Sequence, residues 1–453
     1  MKDVPVMPSL LELSMHFFVQ MAAILVAYRL VWLVCRPLGQ VQVVAIMAAG
    51  FLLGPSVLGA VWPAAQRWLF PTTIAIGGET VTHPSLGVIY VVGQLGLVLY
   101  MFLVGSAFQT DILGAHVRVA GATATAGVAV PMLLGGATGL VLAARGGYFT
   151  DEIASWQAAL FLAAAVAITA FPMLAWIIHD SGLHRTRIGT MALACAASDD
   201  ACAWVLLAAV VASTRGDAAG ALIAVGGGVG FVVFMLTVGR RALAPLNGWA
   251  DRIPNGDAVA TAPLIVMLTV VLLCAWFTDL VGVYSVFGAF VAGIAMPRGR
   301  LLDQVRARTE PLVSYLLLPA FFIFSGLQTE LSLILEPAVL LTAVAVLVVS
   351  FGGKFGAVTL AARYQGMSWR EAGSMGALAN ARGLMELILL NIGLTAGLIT
   401  PALYTILALM ALVTTFATTP LFRLFERNAH KHGRTFGADG EVPIRSEEMP
   451  TAR

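Results

Sequence analysis

Two adjacent carboxylates, Asp199 and Asp200, interrupt an otherwise apolar stretch at residues 193–210. If that stretch spans a membrane, one central Asp costs about 2.5–3.5 kcal/mol on insertion scales, and two side by side also repel each other. In a membrane such a penalty accompanies an ion path, a proton relay or a pump site. The plain alternative is a buried salt bridge that locks two helices together. Other buried charges are few. Lys354, Arg382 and Glu386 fall inside apolar segments, Asp279 lies at a segment end, and Arg29 is close enough to one to snorkel. Asp199, Asp200 and Glu386 against Lys354 and Arg382 is a nearly balanced set, so mutual pairing is expected.

Composition settles the class of chain that carries these groups. Of 453 residues, 59% are hydrophobic and 11% charged, with a mean hydropathy of +0.90. Soluble proteins carry about 25% charged residues. The sequence therefore reads as an all-α polytopic membrane protein. The four cysteines, Cys35, Cys195, Cys202 and Cys274, lack metal-ligand spacing and read as small apolar residues. There is no nucleophile–base constellation and no phosphate-binding loop, so neither an enzyme, a cofactor nor a nucleic-acid partner is expected.

A hydrocarbon core about 30 Å thick takes about 20 apolar residues per helix. On that ruler there are thirteen segments: 15–34, 41–60, 86–108, 119–143, 156–178, 189–213, 220–238, 260–278, 283–296, 312–327, 337–362, 373–394 and 401–422. The first apolar run is full length and no small-residue cleavage site follows it, so the first helix is expected to direct insertion uncleaved. With the N-terminus outside, seventeen Lys and Arg fall in cytoplasmic loops and the start of the tail, against four outside. That bias orients the chain with its N-terminus out and its C-terminus cytoplasmic in a plasma (inner) membrane. The expected organisation is an extracellular segment 1–14, a membrane domain 15–425 and a charged, Pro-containing tail 426–453 that reads as disordered.

An internal repeat is visible. Phe102-Leu-Val-Gly-Ser-Ala-Phe-Gln-Thr-Asp111 aligns with Phe321-Phe-Ile-Phe-Ser-Gly-Leu-Gln-Thr-Glu330 at an offset of 219. The thirteen-segment count puts the two copies on opposite membrane faces, as an inverted-topology repeat requires. The halves are about 15–213 and 220–422. Such repeats place their site at discontinuous helices near the midplane. Each half offers one candidate. The first is at 165–174, where Pro172 removes a donor and Thr169 can serve the freed backbone. The second is at 377–386, with Asn380 and Gly383 as breakers. A pair of ordinary kinks is the bland reading.

At this point the residues resemble the monovalent cation/proton antiporters, and within them the second cation:proton antiporter family. The resemblance rests on residues 38–59, ending Phe-Leu-Leu-Gly-Pro-Ser-Val-Leu-Gly, and on 95–105, 278–298 and 381–393, and covers roughly 10–425. It implies a fold of thirteen helices with crossed discontinuous helices, split into a core and a dimerisation domain, and a homodimer. It implies that Asp200 is the main cation and proton ligand and that Asp199 is the paired acid, these two carboxylates holding the transported cation. Lys354 would pair with Asp199; Thr169, Ser198 and Asn380 would sit at the site. Arg382 and Glu386, four residues apart, read as a structural pair neutralising half-helix ends. The sequence departs from the family where acids are common, at Ile46, Ala107 and Gln109, and at Tyr284, where many members have His. The tail is shorter than the nucleotide-binding regulatory domain of potassium-efflux members. The implied activity is exchange of Na⁺ or K⁺ for H⁺ across the bilayer. A channel or sensor of the same fold, or a proton-coupled exporter of an organic compound, are the alternatives.

Overall fold

The computed structural model describes residues 8–76, 79–107, 117–181, 183, 186, 188–193, 195–196, 199, 218–252, 261–329 and 331–430. Among these, nine helices are long and apolar enough to cross a membrane. They correspond to nine of the thirteen expected segments. Three more segments, 156–178, 283–296 and 373–394, contain shorter or interrupted helices, and 189–213 lies largely outside the described residues. The described residues therefore do not by themselves give the count of thirteen.

We label the helices used below in chain order. α1 is Leu10–Cys35, α2 Gln42–Leu53, α3 Pro84–Ala107, α4 Val117–Arg145, α5 Ser155–Ala167 and α6 Phe171–Asp180. α7 is Ala218–Phe234, α8 Thr261–Leu280, α9 Ser285–Ala295, α10 Arg300–Leu312 and α11 Leu318–Leu327. α12 is Pro337–Tyr364, α13 Trp369–Ala379, α14 Leu384–Thr395 and α15 Pro401–His430. α1 starts at Leu10, inside the segment expected to precede it, because Ser9 and Glu12 form a capping box. Ser9 and Glu12 exchange hydrogen bonds of 2.7 and 3.2 Å, which meet two otherwise stranded donors. The all-α expectation misses one feature, a two-stranded antiparallel ribbon of Thr73–Ile76 and Glu79–Thr82. Its Thr, Ile and Val residues favour strand, and the sequence places Gly77-Gly78 between the strands.

The helices pack in two groups. In one, α11 lies on α2 and α3, α9 lies on α3 and α8, and α1 lies on α2. In the other, α4 packs on α5 and α12; α12, α13 and α15 pack on one another; and α14 packs on α15 and touches α5. Between the groups the described contacts include α2 against α15, α11 against α14, and Phe171 of α6 edge-on to Phe290 of α9. Within the first group, small residues let backbones touch. A Cβ on Gly50 would fall 2.4 Å from the Phe322 carbonyl oxygen, and one on Gly326 would fall 2.3 Å from Gly50. Without a hydrophobic force between helices in lipid, such close van der Waals packing is a main source of association. Outward faces carry exposed Leu30, Leu133 and Leu341, as a lipid-facing surface does.

Gly50 meets Phe322 and Gly54 meets Gly326, so α2 and α11 run parallel. Gly93 meets Phe321 and Gly96 meets Leu317, so α3 and α11 run antiparallel. The described parts of the repeat, 102–107 and 321–329, thus point in opposite directions. Gln109, Thr110, Asp111 and Glu330 lie outside the described residues.

α3 begins just after the ribbon, and its first turn is capped by a titratable group. His83 Nδ1 accepts the Ser85 backbone N–H at 3.2 Å and lies 2.8 Å from Ser85 Oγ. Burial, with His16 nearby as a second cause, holds His83 below the ordinary histidine value of 6.5. Protonation would also remove the acceptor and put positive charge at a helix N-terminus. The unfolded chain therefore binds this proton more readily. The cap's contribution is full above about pH 6.5 and is lost as pH falls through the lower folded value. His83→Asn keeps a capping acceptor without titrating. It is expected to flatten the fall in thermal midpoint between about pH 7.5 and about pH 5.5; an unchanged slope would remove His83 from the account.

Candidate functional site: two interrupted helices that cross

A helix in a membrane can stop only where its last carbonyls find donors. α5 stops at Ala167 and the chain runs extended through Ile168 before α6 begins at Phe171. The interruption thus precedes Pro172, which is the second residue of α6, a first-turn position where its missing donor costs nothing. α13 stops at Ala379 and α14 begins at Leu384. Gly383 carries φ +142°, a conformation that L side chains rarely adopt. The two interruptions touch. The Ala170 N–H donates to the Ala381 carbonyl at 2.9 Å, and Thr169 Oγ1 donates to the Ala379 carbonyl at 2.9 Å.

The end of α5 is met by two cations. The Ala164 carbonyl still accepts the Ile168 N–H at 3.3 Å. Ala165 accepts from Arg382 Nη1 at 2.7 Å, Val166 accepts from Arg382 Nη2, and Ala167 accepts from Lys354 Nζ. All four last carbonyls are therefore satisfied, three of them by positive charge, which also suits the negative end of a helix dipole. The end of α13 differs. Its partners are neutral: Asn380 Nδ2 donates to Gly376 at 3.0 Å, and Thr169 serves Ala379.

Two buried ion pairs attach to this frame. Lys354 Nζ lies 2.6 Å from Asp199 Oδ2, and Arg382 Nη1 lies 3.3 Å from Glu386 Oε2. Lys354, Arg382, Glu386 and Asn380 are fully buried, and Asp199 is 4% exposed. The Arg382 backbone is pinned as well, exchanging hydrogen bonds with Thr415 Oγ1 at 3.1 and 2.8 Å. Thr169 Oγ1 lies 2.7 Å from Asp199 Oδ2. The hydroxyl has one hydrogen and two acceptors in reach, so it serves either Asp199 or Ala379 at a given moment. Asp199 Oδ1 and Asn380 Oδ1 are buried with no hydrogen-bond partner among the described residues. A cavity adjoins Asp199, lined by Thr169, Cys195, Ala196, Met375 and Ala379 among others.

The structure thus brings together Asp199, Thr169, Lys354, Arg382, Glu386 and Asn380. Asp200 and Ser198 lie outside the described residues. Cys195, which reads from the sequence as a small apolar residue, and Met375, to which the sequence gives no role, both line the cavity. The signal for Cys195 was its place four residues before Asp199, one helical turn away; Met375 carried none. Of the departures, Ile46 is buried in α2, Ala107 ends α3, Tyr284 precedes α9 with φ +72°, and Gln109 is outside the described residues.

Breaking a buried pair by removing one partner typically costs about 3–5 kcal/mol, because the remaining charge is left uncompensated. Lys354→Ala is accordingly expected to lower thermal stability strongly, and adding Asp199→Asn to recover much of the loss. Additive destabilisation in this double-mutant cycle would contradict the pairing.

The comparisons with known proteins agree on one family. The sequence model described as "Sodium/hydrogen exchanger, transmembrane" matches residues 22–426. Na(+)/H(+) antiporter NhaS4 of Synechocystis sp. is 36% identical over 409 residues, covering 89% of this chain and 95% of that protein. Cation/H(+) antiporter 19 of Arabidopsis thaliana is 35% identical over 416 residues, covering 91% of this chain; the chain spans 50% of that relative's length. Among solved structures, the sodium proton antiporter MjNhaP1 from Methanocaldococcus jannaschii matches with a TM-score of 0.59 at 16% identity. It covers 96% of this chain and 99% of that one, a likeness of fold.

Proposed function

The chain belongs to the sodium/hydrogen exchanger family, a family of multi-pass membrane transporters, and from that premise we propose that it exchanges a monovalent cation, Na⁺ or K⁺, for protons at Asp199 and Asp200. The observation that carries this reading is the state of Asp199. One of its oxygens is held by Lys354 and Thr169, while the other is buried without a described partner beside a cavity at the helix crossing. A dehydrated hard cation needs oxygen ligands. The two carboxylates, the Thr169 hydroxyl and Ser198 are the candidates. The named activities of the cyanobacterial and plant relatives support the same reading.

The mechanism needs no covalent step. Cation and proton compete for one set of carboxylate oxygens, so the site holds one or the other. Lys354 compensates Asp199 while no cation is bound and gives way when one arrives. Thr169 can follow by turning its hydrogen to the Ala379 carbonyl, which leaves its oxygen lone pairs to the cargo. Arg382 and Glu386 stay paired and keep the helix ends in place. Alternating access then requires the group carrying the crossing to move against the group built on α2, α3 and α11. The repeats 15–213 and 220–422 supply the two-fold relation, with the N-terminus outside, the C-terminus cytoplasmic and the membrane domain ending near residue 425.

Proteoliposome flux with a pH-sensitive dye tests this directly. Adding Na⁺ or K⁺ across a series with Li⁺ and Rb⁺ is expected to dissipate an imposed pH gradient. Current without proton coupling would indicate a channel, and a gradient dissipated only by an organic solute would indicate an exporter. Asp200→Asn is expected to abolish cation-driven proton flux while the protein still folds; substantial residual flux would overturn the assignment of Asp200. The protein is further expected to be a homodimer through helices outside the crossing. A monodisperse monomer both in mild detergent and in lipid nanodiscs would refute that.

A further inference from the structure

A second buried polar cluster lies away from the crossing. Ser325 is in the last turn of α11, Asn391 is in the second half of α14, and Tyr404 is in the first turn of α15. They are 1%, 8% and 0% exposed. Asn391 Nδ2 donates to Ser325 Oγ at 2.8 Å and to the Leu387 carbonyl at 2.9 Å. The Tyr404 hydroxyl donates to the Ser325 carbonyl at 3.0 Å and lies 3.5 Å from Asn391 Oδ1.

The cluster spans the seam between the two helix groups, since α11 packs with α2 and α3 while α14 and α15 pack with the crossing. Another hydrogen bond spans the same seam. Gln40 Nε2, just before α2, donates to the Phe416 carbonyl of α15 at 3.0 Å. Tyr404 and Phe416 are separated along α15 by about 18 Å at 1.5 Å per residue. The groups are thus fastened at two heights. Among the described residues the cluster has no counterpart in the other half. Ser325 corresponds to Ser106 in the repeat, and Ser106 Oγ donates within its own helix, to Leu103 at 2.7 Å. Aligning the first residues of α6 and α14 sets Asn391 against Ile178, and the same spacing sets Tyr404 against Met191; both are apolar and buried.

We propose that Ser325, Asn391 and Tyr404 form a one-sided conformational latch, which holds the crossing against the α2–α3–α11 group in the present state and opens in each transport cycle. The proposal rests on the exchange reading above. A shift of one group past the other would break both bonds to Ser325, leaving Asn391 Nδ2 with the Leu387 carbonyl and the Tyr404 hydroxyl with Asn391 Oδ1, and a buried group that loses a partner costs stability. The network is therefore complete in one relative position of the groups. In the alignment of α6 with α14, the described residues at the matching positions are Ile178 and Met191, which offer no polar partner, so the latch favours one state over the other.

The test is a reversible lock. Ser325→Cys with Asn391→Cys, reconstituted in proteoliposomes, is oxidised or bridged with a short bifunctional methanethiosulfonate. Formation of the link is checked by peptide mass mapping, and each single variant is treated in parallel. The linked double variant is expected to lose cation-driven proton flux, and reductant is expected to restore it, while the single variants keep theirs. A linked protein that exchanges as fast as its reduced form would overturn the latch, as would a folded reduced form that does not exchange while wild type does. Absence of exchange in wild type as well would instead refute the exchange reading.

Discussion

The structure turns on the termination of a helix inside a membrane. α5 ends at Ala167 with no water available, and its final carbonyls must find donors in protein. Arg382, in the α13–α14 interruption, and Lys354, on α12, supply them. That single requirement explains several placements at once. It fixes Arg382 at the α13–α14 interruption, and it places the Lys354 ammonium where it can also reach Asp199. It also demands Glu386, because a buried guanidinium left without an acid would be costly. The ion pairs thus follow from the interruption as much as from any need to bind cargo.

The second interruption is finished with neutral groups, and this difference gives the crossing a direction. Around the end of α13 the buried Asn380 Oδ1 has no hydrogen-bond partner among the described residues, and the Thr169 oxygen keeps its lone pairs. Around the end of α5 every carbonyl is taken. One half-helix end is therefore closed by charged donors, while the other, among the described residues, is closed by neutral ones. Tight glycine contacts such as Gly50 against Gly326 bring the α2 and α11 backbones into direct contact.

Much of this was legible in the sequence because charge is rare there. With so few ionisable residues inside apolar segments, Asp199, Lys354, Arg382 and Glu386 announce themselves, and their near balance suggests pairing. The two interruptions were legible as regions and less so as positions. Pro172 drew attention because it breaks helices, whereas it actually sits in a first turn that tolerates it; the chain leaves the helix earlier, at Ile168. What the sequence hid is neutral. Ser325, Asn391 and Tyr404 are ordinary polar residues whose meaning depends on which helices meet, and a period of 3.6 cannot report that. Arg382 was readable as the partner of Glu386, but its grip on Ala165 and Val166 depends on a crossing that spans more than two hundred residues of chain.

The two described ion pairs also fix an electrical starting point. Lys354 with Asp199 and Arg382 with Glu386 cancel, so the buried constellation sums to zero before any further acid is added. With Asp200 in the proposed role, one negative charge remains over. A cargo of single charge brings the interior back to neutrality. A doubly charged ion would leave a net positive charge to be carried through a medium of low dielectric, where an isolated charge is heavily penalised. In that proposed role for Asp200, the count of buried charges would discriminate by valence, ahead of any discrimination by ionic radius.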